Sequence, residues 1–211
     1  MNLRLSLSRH LAGELARPSA LLGPLVLGPL WNRRNAALND VAFEALAASP
    51  EDSVLEIGFG GGYLLRRLES RVTHGLLAGV DFSPSMVAYV GRRASRRIAQ
   101  GRLILRCAPA EAIPFADGSF SKLCSVNSLF YWRNLDQGLA ELCRVATARA
   151  RLVLCFTDRQ SLAQSRFARD AVQFYEKADI QLRLERAGWG AVVAESHRDK
   201  QRRFWCLIAS R

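Results

Sequence analysis

Val54-Leu55-Glu56-Ile57-Gly58-Phe59-Gly60-Gly61-Gly62 is an apolar run that closes on an acid and dissolves into glycine. Such a run reads as a strand, and the glycines as a tight turn into a helix starting near Tyr63. A ligand at the carboxyl end of a parallel strand must approach backbone closely, and side chains at Gly58, Gly60 or Gly62 would block it. A plain strand-to-helix turn needs a glycine or two. Three alternating glycines behind Glu56 exceed that need and point to a bound cofactor. A dinucleotide fits less well, because G-x-G-x-x-G counted from Gly58 asks for glycine where the chain has Tyr63.

Downstream, short apolar runs alternate with helical periodicity, the pattern of βαβ units and a parallel sheet. Strands are expected at Val54–Ile57, Leu76–Val80, Leu103–Cys107, Leu123–Val126 and Leu152–Phe156. Ser83-Pro84 reads as a cap and first-turn proline for one helix through about Ile98, and a second helix is expected from Leu135 to Val145. Ile180–Ala187 reads as a helix stopped by Gly188. After it, Ala191–Ser196 and Phe204–Ala209 form an expected antiparallel hairpin around the charged segment Arg198–Arg203. A helix over Arg34–Ala48 precedes the first strand. The expected organisation is a helical N-terminal extension, residues 1–52, and one α/β domain, residues 53–211.

Two further stretches carry candidate chemistry. Asp81 closes the second strand 25 residues after Glu56 (81 − 56), and its carboxylate offers two acceptor oxygens to the hydroxyls of a ribose. Phe82 and Met86 follow as candidates for a purine face. Between the third and fourth strands runs Ala110-Glu111-Ala112-Ile113-Pro114-Phe115-Ala116-Asp117-Gly118-Ser119-Phe120. With the other two motifs in order, it resembles the type-11 branch of the class I S-adenosylmethionine (SAM) dependent methyltransferases, whose members share A-E-x-x-P-F-x-D-x-S-F. The resemblance covers roughly residues 53–156.

That resemblance implies a Rossmann-like class I methyltransferase fold: a mostly parallel seven-stranded sheet, its last strand antiparallel, with helices on both faces. It implies S-adenosyl-L-methionine as cofactor. Gly58, Gly60 and Gly62 would line its methionine part and Asp81 its ribose, with Ala110 and Glu111 beside adenine and Asn127 at the methionine end. SAM carries an ammonium and a sulfonium, which Glu56 complements. The chain departs from the family at Pro109, where members usually carry an Asp that accepts the adenine amino group. Ser121 replaces a usual acid, and Ala146–Arg151 replaces a proline-glycine turn read here as a loop. The segment from Arg17 through Asn35 reads either as a lid over the cofactor or as a packing arm along the sheet edge.

The residues after the fourth strand include Tyr131 and Trp132, candidates for contact with a planar, apolar acceptor; core packing is the competing role for Trp132. No acid or histidine there is placed as a general base, so no catalytic residue is assigned. The net charge of +11 suggests an acidic partner such as nucleic acid, but 30 − 3 = 27 of the basic residues are arginines spread through most segments. Their densest cluster is Arg92, Arg93, Arg96 and Arg97, read as a solvated helix face in preference to a phosphate-binding patch. The five cysteines form no C-x-x-C pair, which fits a reducing cytoplasm rather than disulfides or a metal site. The longest apolar stretch, Ala20–Trp31, is too short and too broken by glycine and proline to span a membrane as a helix. The leading expectation is methyl transfer to a small-molecule acceptor. The alternatives are an RNA or protein methyltransferase, a non-catalytic SAM-fold protein and, last, a dinucleotide-dependent oxidoreductase. Oligomeric state is not legible.

Overall fold

The structure is a computed structural model that describes residues 32–163 and 173–211. Seven strands form one sheet: β1 (Val54–Ile57), β2 (Leu77–Asp81), β3 (Leu103–Cys107), β4 (Phe120–Val126), β5 (Ala146–Thr157), β6 (Gly190–Arg198) and β7 (Arg203–Ser210). Their order is β3-β2-β1-β4-β5-β7-β6, with β7 antiparallel to both neighbours and the first five mutually parallel. This is the mostly parallel, Rossmann-like sheet that the motifs imply. The sheet grows outward from β1 to β2 and β3 on one side and from β4 to β5 on the other, so β1 ends at the switch point where open α/β sheets form their ligand crevice.

Helices cover both faces. Helices α1 (Ala36–Leu46), α2 (Tyr63–Leu68) and α3 (Pro84–Arg93) bury Leu38, Ala42, Leu46, Leu64, Leu65, Leu68 and Val90 in one apolar cluster with Val153 and Cys155 of the sheet. After the short helix α4 (Ser95–Ala99) come α5 (Leu135–Val145), α6 (Arg159–Ala163) and α7 (Lys177–Arg186). Leu139, Leu142 and Val145 of α5, with Ile180 and Leu184 of α7, build the opposite cluster against Leu123, Leu152 and Leu154. Covered on both sides, β1 and β2 are buried at every position, which is why they read as unbroken apolar runs. Helix α1 falls within the sequence-defined extension, yet its apolar side belongs to the core, and Arg151 of β5 donates to its Ala45 carbonyl at 2.7 Å.

Three sequence expectations need correction. The helix expected over 84–98 is two helices, α3 and α4, broken at Ala94 (φ −105°, ψ 15°). A continuous helix would set Arg92 against Arg96 and Arg93 against Arg97, like-charge i,i+4 pairs that disfavour helix. Ala146–Arg151 is the first half of β5 rather than a loop: Ala146 and Ala150 are fully buried while Ala148 and Arg149 face solvent. β4 begins at Phe120, three residues before its expected start, because Phe120 is itself a core residue. Of the segment from Arg17 through Asn35, read as lid or arm, residues 17–31 lie outside the described residues.

Gly138 in α5 fits under the indole of Trp132, and a Cβ there would lie 2.5 Å from Trp132 Cε3. Gly→Ala inside a helix ordinarily stabilises by about 1 kcal/mol. Here the overlap reverses the sign: Gly138→Ala is expected to destabilise by about 1–3 kcal/mol in urea unfolding.

Candidate cofactor site

The site grows from the end of β1. Glu56 pairs in register with Gly79 of β2 and Cys124 of β4, so its side chain emerges among three parallel strands. The turn that follows has positive φ at Gly58 (73°), Gly60 (48°) and Gly62 (72°), a conformation that side chains resist. Space differs among them. A Cβ on Gly58 would lie 2.2 Å from Cβ of Ser128, so this glycine lets the turn pack on the segment after β4. A Cβ on Gly60 would meet nothing within 4 Å. Gly60 therefore borders open space at the tip of the turn, where a ligand can approach backbone.

Asp81 ties the turn to β2. Its Oδ2 accepts from the Gly60 amide at 2.8 Å and its Oδ1 from the Ser83 amide at 2.9 Å. Each oxygen keeps a second lone pair for a ligand hydroxyl. The Asp81 carbonyl accepts from the Ala108 amide at 3.1 Å, which draws the segment after β3 to the same rim.

Glu56 is only 2% exposed, and its Oε2 has no hydrogen-bond partner among the described residues. Burial, then the charge of Asp81, pushes its pKa from 4.5 up to about 8, against a backbone hydrogen bond from Leu65. Burial raises Asp81 as well, opposed by its two backbone donors. Two neighbouring acids, one with an unanswered oxygen, make a pocket suited to a cationic ligand group. The ammonium and sulfonium of SAM match that demand, and the open backbone at Gly60 accommodates its methionine part.

The other sequence candidates divide. Phe82 is half-buried beside Asp81, and Ala110 is buried near the same strand ends. Met86 is 1% exposed and belongs to the core cluster with Phe59, Leu65 and Val90. Glu111 turns to α5, where its Oε1 accepts from the Asn134 amide at 2.9 Å. Trp132 is buried over Gly138 and donates to Ser128 Oγ at 3.2 Å. Tyr131 is half-buried on a 3₁₀ turn; burial raises its phenol and the nearby Arg34 charge lowers it. The A-E-x-x-P-F motif is held by Arg144, which donates to the carbonyls of Ile113 and Phe115 at 2.9 Å and bonds Asp117 at 2.6 Å.

Asn127 has φ 52°, and both ends of its side-chain amide are engaged. Its Oδ1 accepts from the Thr157 amide at 2.8 Å, and its Nδ2 donates to Asn35 Oδ1 at 2.9 Å. Arg202, from the β6–β7 turn, donates to the same Asn35 oxygen at 2.8 Å and to the Arg34 carbonyl at 2.6 Å. Asn32 then donates to the Gly61 carbonyl at 3.2 Å. Sequence reasoning missed Asn32, Thr157 and Arg202, whose partners are distant in the chain.

Fold and site together define a class I SAM-binding α/β domain. Residues 55–154 match a family model described as a methyltransferase domain. The chain is 25% identical over 140 residues to the uncharacterized methyltransferase YdaC of Bacillus subtilis, covering 65% of this chain and 74% of that one. It is 34% identical over 127 residues to the demethylmenaquinone methyltransferase of Thermus thermophilus, covering 59% and 52% respectively. The chain thus spans about half the length of that quinone enzyme. The structure of a SAM-dependent methyltransferase from Aquifex aeolicus shares the fold with a TM-score of 0.66 at 19% identity, over 96% of this chain and 97% of that one. The domain at residues 55–154 is thus of the class I SAM-dependent methyltransferase type.

The buried acid gives a pH prediction. The folded pKa of Glu56 lies above its unfolded value, so its stabilising contribution is full below about 4.5 and is lost as pH rises through about 8. Without ligand, stability should fall across that window by up to about 1.4 kcal/mol per pH unit. Glu56→Gln should flatten the profile in thermal melts across the same range. A wild-type profile already flat between those values would show that Glu56 ionises freely.

Proposed function

We propose that this protein transfers a methyl group from SAM to a small, largely apolar acceptor such as a quinol, and that it works in the cytoplasm. The observation carrying the reading is the Glu56–Asp81 pair behind the open glycine turn, with one carboxylate oxygen of Glu56 lacking a partner. Glu56 and Asp81 would hold the cationic and ribose portions of SAM, with Gly58, Gly60 and Phe82 around them. SAM supplies an electrophilic methyl group on a positively charged sulfur.

The chain's task is then alignment and exclusion of water, which provide much of the rate in an in-line displacement. Tyr131 stands on the segment after β4 that meets the glycine turn through Ser128. It would offer the acceptor an aromatic face and a hydroxyl. That segment carries no carboxylate or imidazole, which suits an acceptor with an acidic or already ionised nucleophile, such as a phenol or an enolisable carbon. The quinone relative and the absence, among the described residues, of a helix long and apolar enough to cross a membrane are consistent with this reading.

SAM is expected to bind, and Asp81→Ala to weaken binding roughly 10- to 100-fold, the loss of hydrogen bonds to a charged group. In an assay with methyl-labelled SAM, label should pass to a naphthoquinol and not to bulk RNA. Label found only in RNA would overturn the choice of acceptor, and no SAM binding at all would overturn the enzyme.

A further inference from the structure

The arginine cluster noted in the sequence lies at the outer edge of the sheet. From Pro84 to Cys107, the stretch forming α3, α4 and β3, the chain has six arginines (Arg92, Arg93, Arg96, Arg97, Arg102 and Arg106) and no acid. Elsewhere arginines often face carboxylates: Arg67 with Asp40, Arg144 with Asp117 and Glu141, Arg183 with Asp136, Arg203 with Asp158. At this edge only Arg97 approaches one, Glu69 at 4.0 Å, among the described residues.

Between these charges lies a groove of about 340 Å³ lined by Val87, Ile98, Leu103, Ile104, Leu105 and Arg106, among others. Ile98 is 38% exposed, among the few large apolar side chains left at the surface. β3 is the first strand of the sheet and, among the described residues, pairs only with β2, so its other side offers backbone donors and acceptors along Leu103–Arg106.

We propose that this edge is a docking site for an acidic partner protein, which lays an extended segment of alternating apolar and acidic residues alongside β3. Three features select that occupant. A free strand edge is satisfied along its length by another polypeptide backbone, a recognised mode of binding. The apolar groove takes alternate side chains, which a phosphodiester chain lacks. The charge excludes the nearest alternatives, because a second copy carries +11 and residues 1–31 of this chain hold three arginines against one acid. Charged residues also guard edge strands against self-association. An open apolar groove beside them exceeds that role.

The test uses the full chain and a fluorescent peptide of alternating valine and glutamate, with its valine–lysine counterpart and an oligouridylate as controls. The glutamate peptide should bind, and should slow amide exchange over 103–107 on the β3 edge. Reversing two exposed side chains, Arg96→Glu with Arg102→Glu, should weaken it by roughly tenfold or more while leaving SAM affinity and the thermal transition unchanged. Absence of peptide binding, or binding insensitive to the reversals, overturns the proposal. Tighter binding of the oligouridylate also overturns it, assigning the edge to nucleic acid. An unchanged SAM affinity keeps any failure here separate from the cofactor site.

Discussion

Two carboxyl groups buried side by side are costly, and the rest of the site is arranged around that cost. Glu56 and Asp81 end neighbouring parallel strands, so the register of the sheet itself brings them together. Asp81 is answered by two backbone amides, one of them from the glycine turn. Glu56 has only the backbone hydrogen bond from Leu65, and its Oε2 is left without a partner among the described residues. A protein selected for stability alone would place an apolar side chain there. Retention of the acid makes sense when a cation completes the pocket.

The turn must meet two opposed requirements. It has to pack tightly on the segment after β4, which Gly58 permits against Ser128, and it has to leave backbone accessible, which Gly60 does. Around it, Asn35, Asn127, Thr157 and Arg202 form a hydrogen-bonded network that reaches the far hairpin, and Asn32, three residues before Asn35, holds the glycine turn. The antiparallel hairpin is thereby more than an edge. Its turn braces the approach to the cofactor site through a buried arginine, whose side chain is 7% exposed.

Much of this was legible in the sequence, for identifiable reasons. β1 and α5 match their expected limits because local pattern determines them: a doubly covered strand is uniformly apolar, and an amphipathic helix has a clear period. The glycines and the acid of the turn are equally local. Met86 misled because proximity to Asp81 suggested the cofactor, while helical spacing with Val90 turns it into the core. The family resemblance places Glu111 beside adenine, and in the structure its carboxylate accepts from the amide that precedes α5, a contact no local pattern announces. Arg202 was invisible because its partner Asn35 lies 167 residues away, and only the folded sheet brings the two together.

The central claim is that Glu56 waits, protonated, for a cation. Calorimetric titration of SAM near pH 7, in two buffers of different ionisation enthalpy, tests it directly. The account predicts that binding releases close to one proton in the wild type and that Glu56→Gln, still folded, removes that release. Binding with the same proton exchange in both proteins would contradict it, as would a wild-type protein that ignores SAM.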